Sequence, residues 1–211
     1  MNIFNSFLKV TYDWGSQFFA TEDKTMEEIP IFGADEWRTY LKLDVDAPEI
    51  PKRIQELLPV NCPFWPDKLI KETHFLCLTP KNINLEKLYE LTGLKSSSPI
   101  FKEVNDVIME THWILITKKP IPGSESLPFK EKNNLVLKNG YEIPSILEAA
   151  VAIVSAKFLN NTILYPKVRQ FTVCKEMYNE CPLAIGSDSN VPFSIYTNDW
   201  QEINGVAGVI R

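Results

Sequence analysis

Residues 143–160 read Ile-Pro-Ser-Ile-Leu-Glu-Ala-Ala-Val-Ala-Ile-Val-Ser-Ala-Lys-Phe-Leu-Asn. Pro144 suits the opening of a helix, where its missing N–H costs nothing. From there Ile146, Leu147, Ala150, Val151, Val154 and Phe158 line one side, and the other side is mostly alanine and valine. A helix apolar nearly all round is a buried helix, so the pattern predicts a central helix over 143–160 that other elements must cover. Glu148 and Lys157 interrupt the run, which falls short of the roughly 20 apolar residues that cross a bilayer. No membrane span is expected.

Downstream, Gln170–Cys174, Leu183–Ile185, Pro192–Tyr196 and Val206–Ile210 read as short strands joined by turns. Upstream, a polar helix over about 126–139 should stop at Gly140. Before it, Lys68–Thr79 reads as a strand, Leu85–Leu94 as a helix ended by Gly93, and Val107–Lys118 as a strand. This β-α-β unit over 68–118 would be a right-handed crossover if its strands were parallel. A loop over Lys95–Pro99 interrupts it.

Further upstream, Ala34–Leu43 should be a helix turning Trp37, Tyr40 and Leu41 inward, and Pro51–Leu58 another. Cys62-Pro63-Phe64-Trp65-Pro66 has φ fixed at two positions and should form a rigid apolar plug. Phe4, Phe7, Leu8, Thr11, Trp14 and Phe18 recur at helical spacing, a stripe that covers either a core or a partner surface. The fold class expected is α+β: residues 1–30 as an aromatic helix and linker, and 31–211 as a single domain with a mixed β-sheet on the buried central helix. A chain of 211 residues has the length of one such domain.

Charge narrows the partners. The net charge is −5, and residues 22–56 hold the whole imbalance, with 10 acids against 5 bases. The remainder is neutral, so no basic stripe is available to neutralise phosphates, and no nucleic-acid binding is expected. Asp44, Asp46 and Glu49 instead form an acidic edge suited to a basic protein; the plainer reading is a solvated face. Cys62, Cys77, Cys174 and Cys181 contain no C-x-x-C pair, and no signal-peptide pattern opens the chain. Reduced thiols and a cytoplasmic setting follow.

The two histidines lie in an internal echo, Glu72-Thr73-His74-Phe75-Leu76-Cys77-Leu78-Thr79 against Glu110-Thr111-His112-Trp113-Ile114-Leu115-Ile116-Thr117. On parallel neighbouring strands in matching register the imidazoles would stand about 4.8 Å apart. Flanked by Glu72 and Glu110, they would have the residue types for acid–base or metal chemistry. The plainer reading leaves each histidine hydrogen-bonded at a sheet margin. Other chemistry is absent: no G-x-S-x-G elbow, no phosphate-cradling G-x-x-x-x-G-K-[ST] loop, and a Cys174–Cys181 spacing unlike a zinc knuckle. No metal or cofactor is expected. Lys118, Lys119 and Lys130–Lys132 near Gly123-Ser124 form a candidate anion site.

Several pieces together, among them Cys62–Pro66, Lys71–Leu78, His112–Thr117, Tyr141–Ala150, Thr172–Glu176 and Gly205–Gly208, resemble an uncharacterised family of chlamydia-related and other amoeba-associated bacteria. In that family the domain sometimes follows an F-box-like segment. The resemblance covers residues 31–211 and carries no assigned activity. It implies a substrate-binding, host-directed or inhibitory module, resident in the cytoplasm or delivered into a host cell without a signal peptide of the usual kind. The expected function is protein binding through Phe7, Trp14, Asp44, Asp46 and Glu49. The alternative is a hydrolase or metal-dependent enzyme using His74 and His112 with Glu72 or Glu110.

Overall fold

In the computed structural model the structure describes residues 29–93, 104, 106–166, 170–187, 193–197 and 204–211. The predicted central helix is α6 (Ile146–Asn160), with every residue from Ile146 to Ala156 buried. It starts where the sequence provides a cap: Ser145 Oγ accepts the Glu148 N–H at 3.1 Å, and the Glu148 carboxylate accepts the Ser145 N–H at 2.8 Å. This reciprocal capping box satisfies two N–H groups that have no partner within the helix. Asn161, with φ +51°, ends the helix in the left-handed region.

Two four-stranded mixed sheets enclose α6. The first has the order β1 (Ile31–Phe32), β4 (His74–Thr79), β5 (His112–Thr117), β10 (Val209–Ile210). The second has the order β8 (Ser194–Thr197), β7 (Cys181–Gly186), β6 (Thr172–Tyr178), β9 (Gly205–Val206). The helix packs on β1 and β4 of the first and on β6 and β7 of the second. The expected last strand, Val206–Ile210, is therefore two strands, β9 in one sheet and β10 in the other. The crossing at Ala207-Gly208 is held by threonine hydroxyls, Thr172 Oγ1 accepting the Ala207 N–H at 2.8 Å and Thr117 Oγ1 the Gly208 N–H at 3.2 Å. The result is the expected α+β class, one continuous core closed by the C-terminal run.

The other helices are α1 (Ala34–Leu41), α2 (Lys52–Leu57), α3 (Ile70–Thr73), α4 (Leu85–Thr92) and α5 (Phe129–Lys138). Trp37 and Leu41 of α1 are buried as expected, and the Trp37 indole donates to the Leu78 carbonyl at 2.9 Å. Tyr40 is a correction: it is 43% exposed, its ring lying over Phe32 and Phe158. The Cys62–Pro66 plug is the turn of a small hairpin, β2 (Asn61–Cys62) with β3 (Trp65–Leu69), and it sets Phe64 on Tyr141 at 5.0 Å. No two of the four cysteines are bonded.

The predicted β-α-β unit is corrected in two ways. Its first strand is broken: the Glu72 carboxylate accepts the Leu69 N–H at 2.6 Å, and the Thr73 hydroxyl donates back to the Leu69 carbonyl at 3.1 Å, winding Ile70–Thr73 into a helical turn before β4 begins. Its two strands, β4 and β5, are antiparallel neighbours, so no crossover exists, and the parallel partner of β4 is β1. The aromatic stripe at residues 4–18, the greater part of the linker and the loop at 95–99 lie outside the described residues. Among the described residues, no helix is long and apolar enough to cross a membrane.

Candidate functional site

The antiparallel ladder separates the residues that the echo would have joined. His74 stands opposite Thr117, and His112 opposite Thr79. Opposed residues share a face and successive residues alternate. His74 therefore lies on the face of Leu76, Leu78 and Trp113, and His112 on the face of Cys77, Ile114 and Phe75. Five rungs of ladder also separate the histidines, roughly 17 Å at the rise of a strand. The four-residue cluster of His74, His112, Glu72 and Glu110 does not form, because it needed parallel strands in matching register.

Each of the four has its own surroundings. His74 is fully buried, with Nδ1 within 2.9 Å of the Thr73 hydroxyl and 3.2 Å of the Ile70 carbonyl, and its ring lies 5.5 Å from that of Tyr141. Burial, with help from the nearby Lys118 cation, lowers its pKa to about 4, so it stays neutral near pH 7. Glu72 is the cap of α3. Glu110 is exposed, and its carbonyl accepts the Nδ1–H of His112 at 2.9 Å.

His112 belongs to a cluster that neither the echo nor the spacing reveals. β5 delivers the imidazole, the first turn of α6 delivers Glu148, and the end of β10 delivers Arg211. The Arg211 guanidinium holds Glu148 with two bonds, Nε to Oε1 at 2.6 Å and Nη2 to Oε2 at 2.8 Å, while its third nitrogen pairs with Glu142. His112 Nε2 lies 3.6 Å from Glu148 Oε1, an ion-pair distance just outside hydrogen-bond range. Glu148 is 4% exposed. Burial alone would raise its pKa, but His112, Arg211 and the Ser145 N–H outweigh burial and hold it well below the usual carboxylate range. In return the Glu148 carboxylate raises the pKa of His112 against the opposing effect of burial.

This geometry limits what His112 can do. Its Nδ1–H is given to a backbone carbonyl and its Nε2 faces a carboxylate, which favours the doubly protonated ring. Nδ1 is committed to the backbone, while Nε2 is buried beside the carboxylate with no hydrogen-bond partner among the described residues. Beside the cluster is a cleft of about 630 Å³, lined by Asp106–Glu110, Glu142, Leu147, Lys175 and the His112–Glu148–Arg211 group. Just outside that lining, Glu176 spends Oε2 on the Ile146 N–H at 2.9 Å, and its buried Oε1 has no hydrogen-bond partner. Burial raises its pKa, and the Asp106 charge adds to the effect. Among the described residues, no three His, Cys, Asp or Glu side chains converge as metal ligands would.

Several residues of the candidate anion site have other partners. The Lys118 ammonium donates to the Glu72 carbonyl at 2.9 Å, Lys132 is buried, and the buried Ser124 hydroxyl donates to the Ile121 carbonyl while accepting the Val206 N–H. The serine hydroxyl thus ties the turn at Ile121 to the strand at Val206.

Asp44, Asp46 and Glu49 are all exposed on an irregular strap over residues 42–50. Inside and outside alternate over 42–46 and residues 47–49 are all exposed: Leu43, Val45 and Ile50 pack against the core, and the acids are exposed. The Trp113 indole pins it from below by donating to the Pro48 carbonyl at 2.8 Å. Arg38 bonds Asp44 at 2.6 Å, whereas Asp46 and Glu49 form no ion pair among the described residues. Phe7 and Trp14 lie outside the described residues. Glu148 and Arg211 were missed because their partners are distant in sequence; the legible signal was Ser145-x-x-Glu148, a capping pattern that opens an otherwise apolar run. No protein-family model, no curated protein and no solved structure matches the chain.

Proposed function

We propose that this chain is a protein-binding module that recognises a basic partner through the acidic strap. The observation supporting it is the strap at 42–50, which Leu43, Val45, Ile50 and the Trp113–Pro48 bond fasten to the core while Asp44, Asp46 and Glu49 face solvent. A fastened strap presents its charges already ordered, which lowers the entropy a partner must remove on binding. Exposed acids on a rigid support act mainly on the rate of encounter and on partner choice.

Charge reversal provides the test. The triple variant D44K/D46K/E49K should retain the melting temperature of the parent, since exposed charges contribute little to stability. In captures from extracts of the natural source it should lose a stoichiometric protein that the parent retains, and raised salt should weaken the parent's capture in the same direction. Equal capture by both proteins at low salt would overturn the reading.

A further inference from the structure

The backbone beside the cleft carries a second recognition surface. Ile108 is buried and gives both of its main-chain groups to one neighbour, its N–H to the Ile83 carbonyl at 3.0 Å and its carbonyl to the Asn82 N–H at 2.7 Å. Val107, Ile108 and Met109 are exposed, buried and exposed in turn, the period of extended backbone, in which the N–H and C=O of successive residues point to opposite sides. The main-chain groups of Val107 and Met109 are therefore directed away from Asn82–Ile83, and among the described residues they make no hydrogen bond. Met109 is 82% exposed and Val107 41%. Main-chain groups unpaired among the described residues, on a segment with that alternation and with exposed apolar side chains, offer a template for another strand.

We propose that Asp106–Glu110 is a strand-addition site, at which an extended, basic segment of a partner protein pairs with the free main-chain groups of Val107 and Met109 and lays alternate side chains into the cleft. Main-chain pairing of this kind supplies affinity, and pockets for alternate side chains supply selectivity. The preference for a basic segment comes from charge. Asp106 and Glu110 have no ion pair among the described residues, and of the cations lining the cleft Arg211 is already held by Glu142 and Glu148. His112 likewise faces Glu148, which leaves Lys175 as the one lining cation without an ion pair among the described residues. A cationic side chain between Asp106 and Glu110 would also relieve the repulsion that Asp106 exerts on Glu176. The proposal rests on the protein-binding reading but names a different surface from the strap.

The test uses the full chain and a fluorescein-labelled peptide of alternating lysine and valine, read by anisotropy. Three companions accompany it: the same peptide N-methylated at alternate residues, a glutamate–valine peptide, and the variant M109P, which removes one free N–H while leaving the Ile108 bonds in place. Binding of the parent to the lysine–valine peptide, weakened at least tenfold by N-methylation, by the exchange to glutamate and by M109P, is the expected result. Should M109P fail to fold, the methylated peptide still decides the matter. Equal binding of the methylated peptide, absence of binding by any peptide, or concentration-dependent dimerisation of the parent that M109P abolishes would each overturn the proposal, the last by making a second copy the occupant. The D44K/D46K/E49K variant separates the two readings. It should bind the peptide as the parent does, so peptide binding that persists while natural partners are also retained would discard the strap and keep the edge.

Discussion

Arg211 grips Glu148 through both carboxylate oxygens, at 2.6 and 2.8 Å, and so ties the end of the last strand to the first turn of the buried helix. The same carboxylate caps that helix and faces His112. Three segments far apart in the chain thus converge on one nearly buried charge.

Because removing one member of a buried pair strands the other, Arg211→Met should destabilise the protein by about 2 kcal/mol, below the range of fully buried pairs since Arg211 is itself partly exposed. Glu148→Gln can still cap the helix and should cost less. Urea unfolding of the two single variants and the double should reveal a double-variant loss smaller than the sum. Strict additivity would mean that the pair is not coupled.

The two histidines should respond oppositely to pH. The pKa of His112 is raised in the folded state, so its contribution is fully present below its unfolded value, about 6.5, and is lost as pH rises through the folded value. The stability gap between the parent and His112→Gln should therefore narrow from pH 6 towards pH 9. His74, at about 4, is held neutral, so the unfolded chain takes up a proton first as the pH falls. That costs about 3 kcal/mol between pH 6.5 and 4. NMR titration should find the His74 ring signals moving near pH 4, and movement near pH 6.5 would show that its burial is not maintained.

Two glycines should differ in why they resist substitution. A Cβ on Gly208 would lie 2.8 Å from the buried Tyr141 ring, in the crossing between the two sheets. Gly140 has φ +77° but open space around it. Gly208→Ala should cost about 2–3 kcal/mol through overpacking, and Gly140→Ala about 1 kcal/mol through backbone strain. Trimming the ring, as in Gly208→Ala with Tyr141→Leu, should recover part of the first loss and none of the second. Thermal unfolding of Gly208→Ala and Gly140→Ala, each alone and each combined with Tyr141→Leu, measures this; equal losses for the two single variants would contradict the steric account.

Much of the fold was legible locally. The 143–160 run predicted a buried helix because its apolar residues occupy every side, and Gly93 and Gly140 marked helix ends through positive φ. The strand expected over 68–79 failed at its start, where Glu72 and Thr73 could satisfy the backbone of a helical turn as well as they could point from a strand. The echo around His74 and His112 was real as a pattern of apolar residues but silent on direction. Parallel and antiparallel neighbours bury the same alternation, and it is the observed antiparallel register, with His74 opposite Thr117, that puts the two rings on opposite faces.

The sequence by itself determined what is local: which helix had to be buried, where helices stop, and that the acids of residues 22–56 dominate the net charge. Those follow from periodicity, backbone geometry and composition, which neighbouring residues settle among themselves. Tertiary structure alone decided that β4 and β5 run antiparallel, that the C-terminal run is shared between two sheets, and that Glu148 meets His112 and Arg211. The reason is physical: long-range pairing is chosen by the packing of the whole core, and a buried carboxylate takes its partners from whichever strands that packing brings within about 3 Å of it.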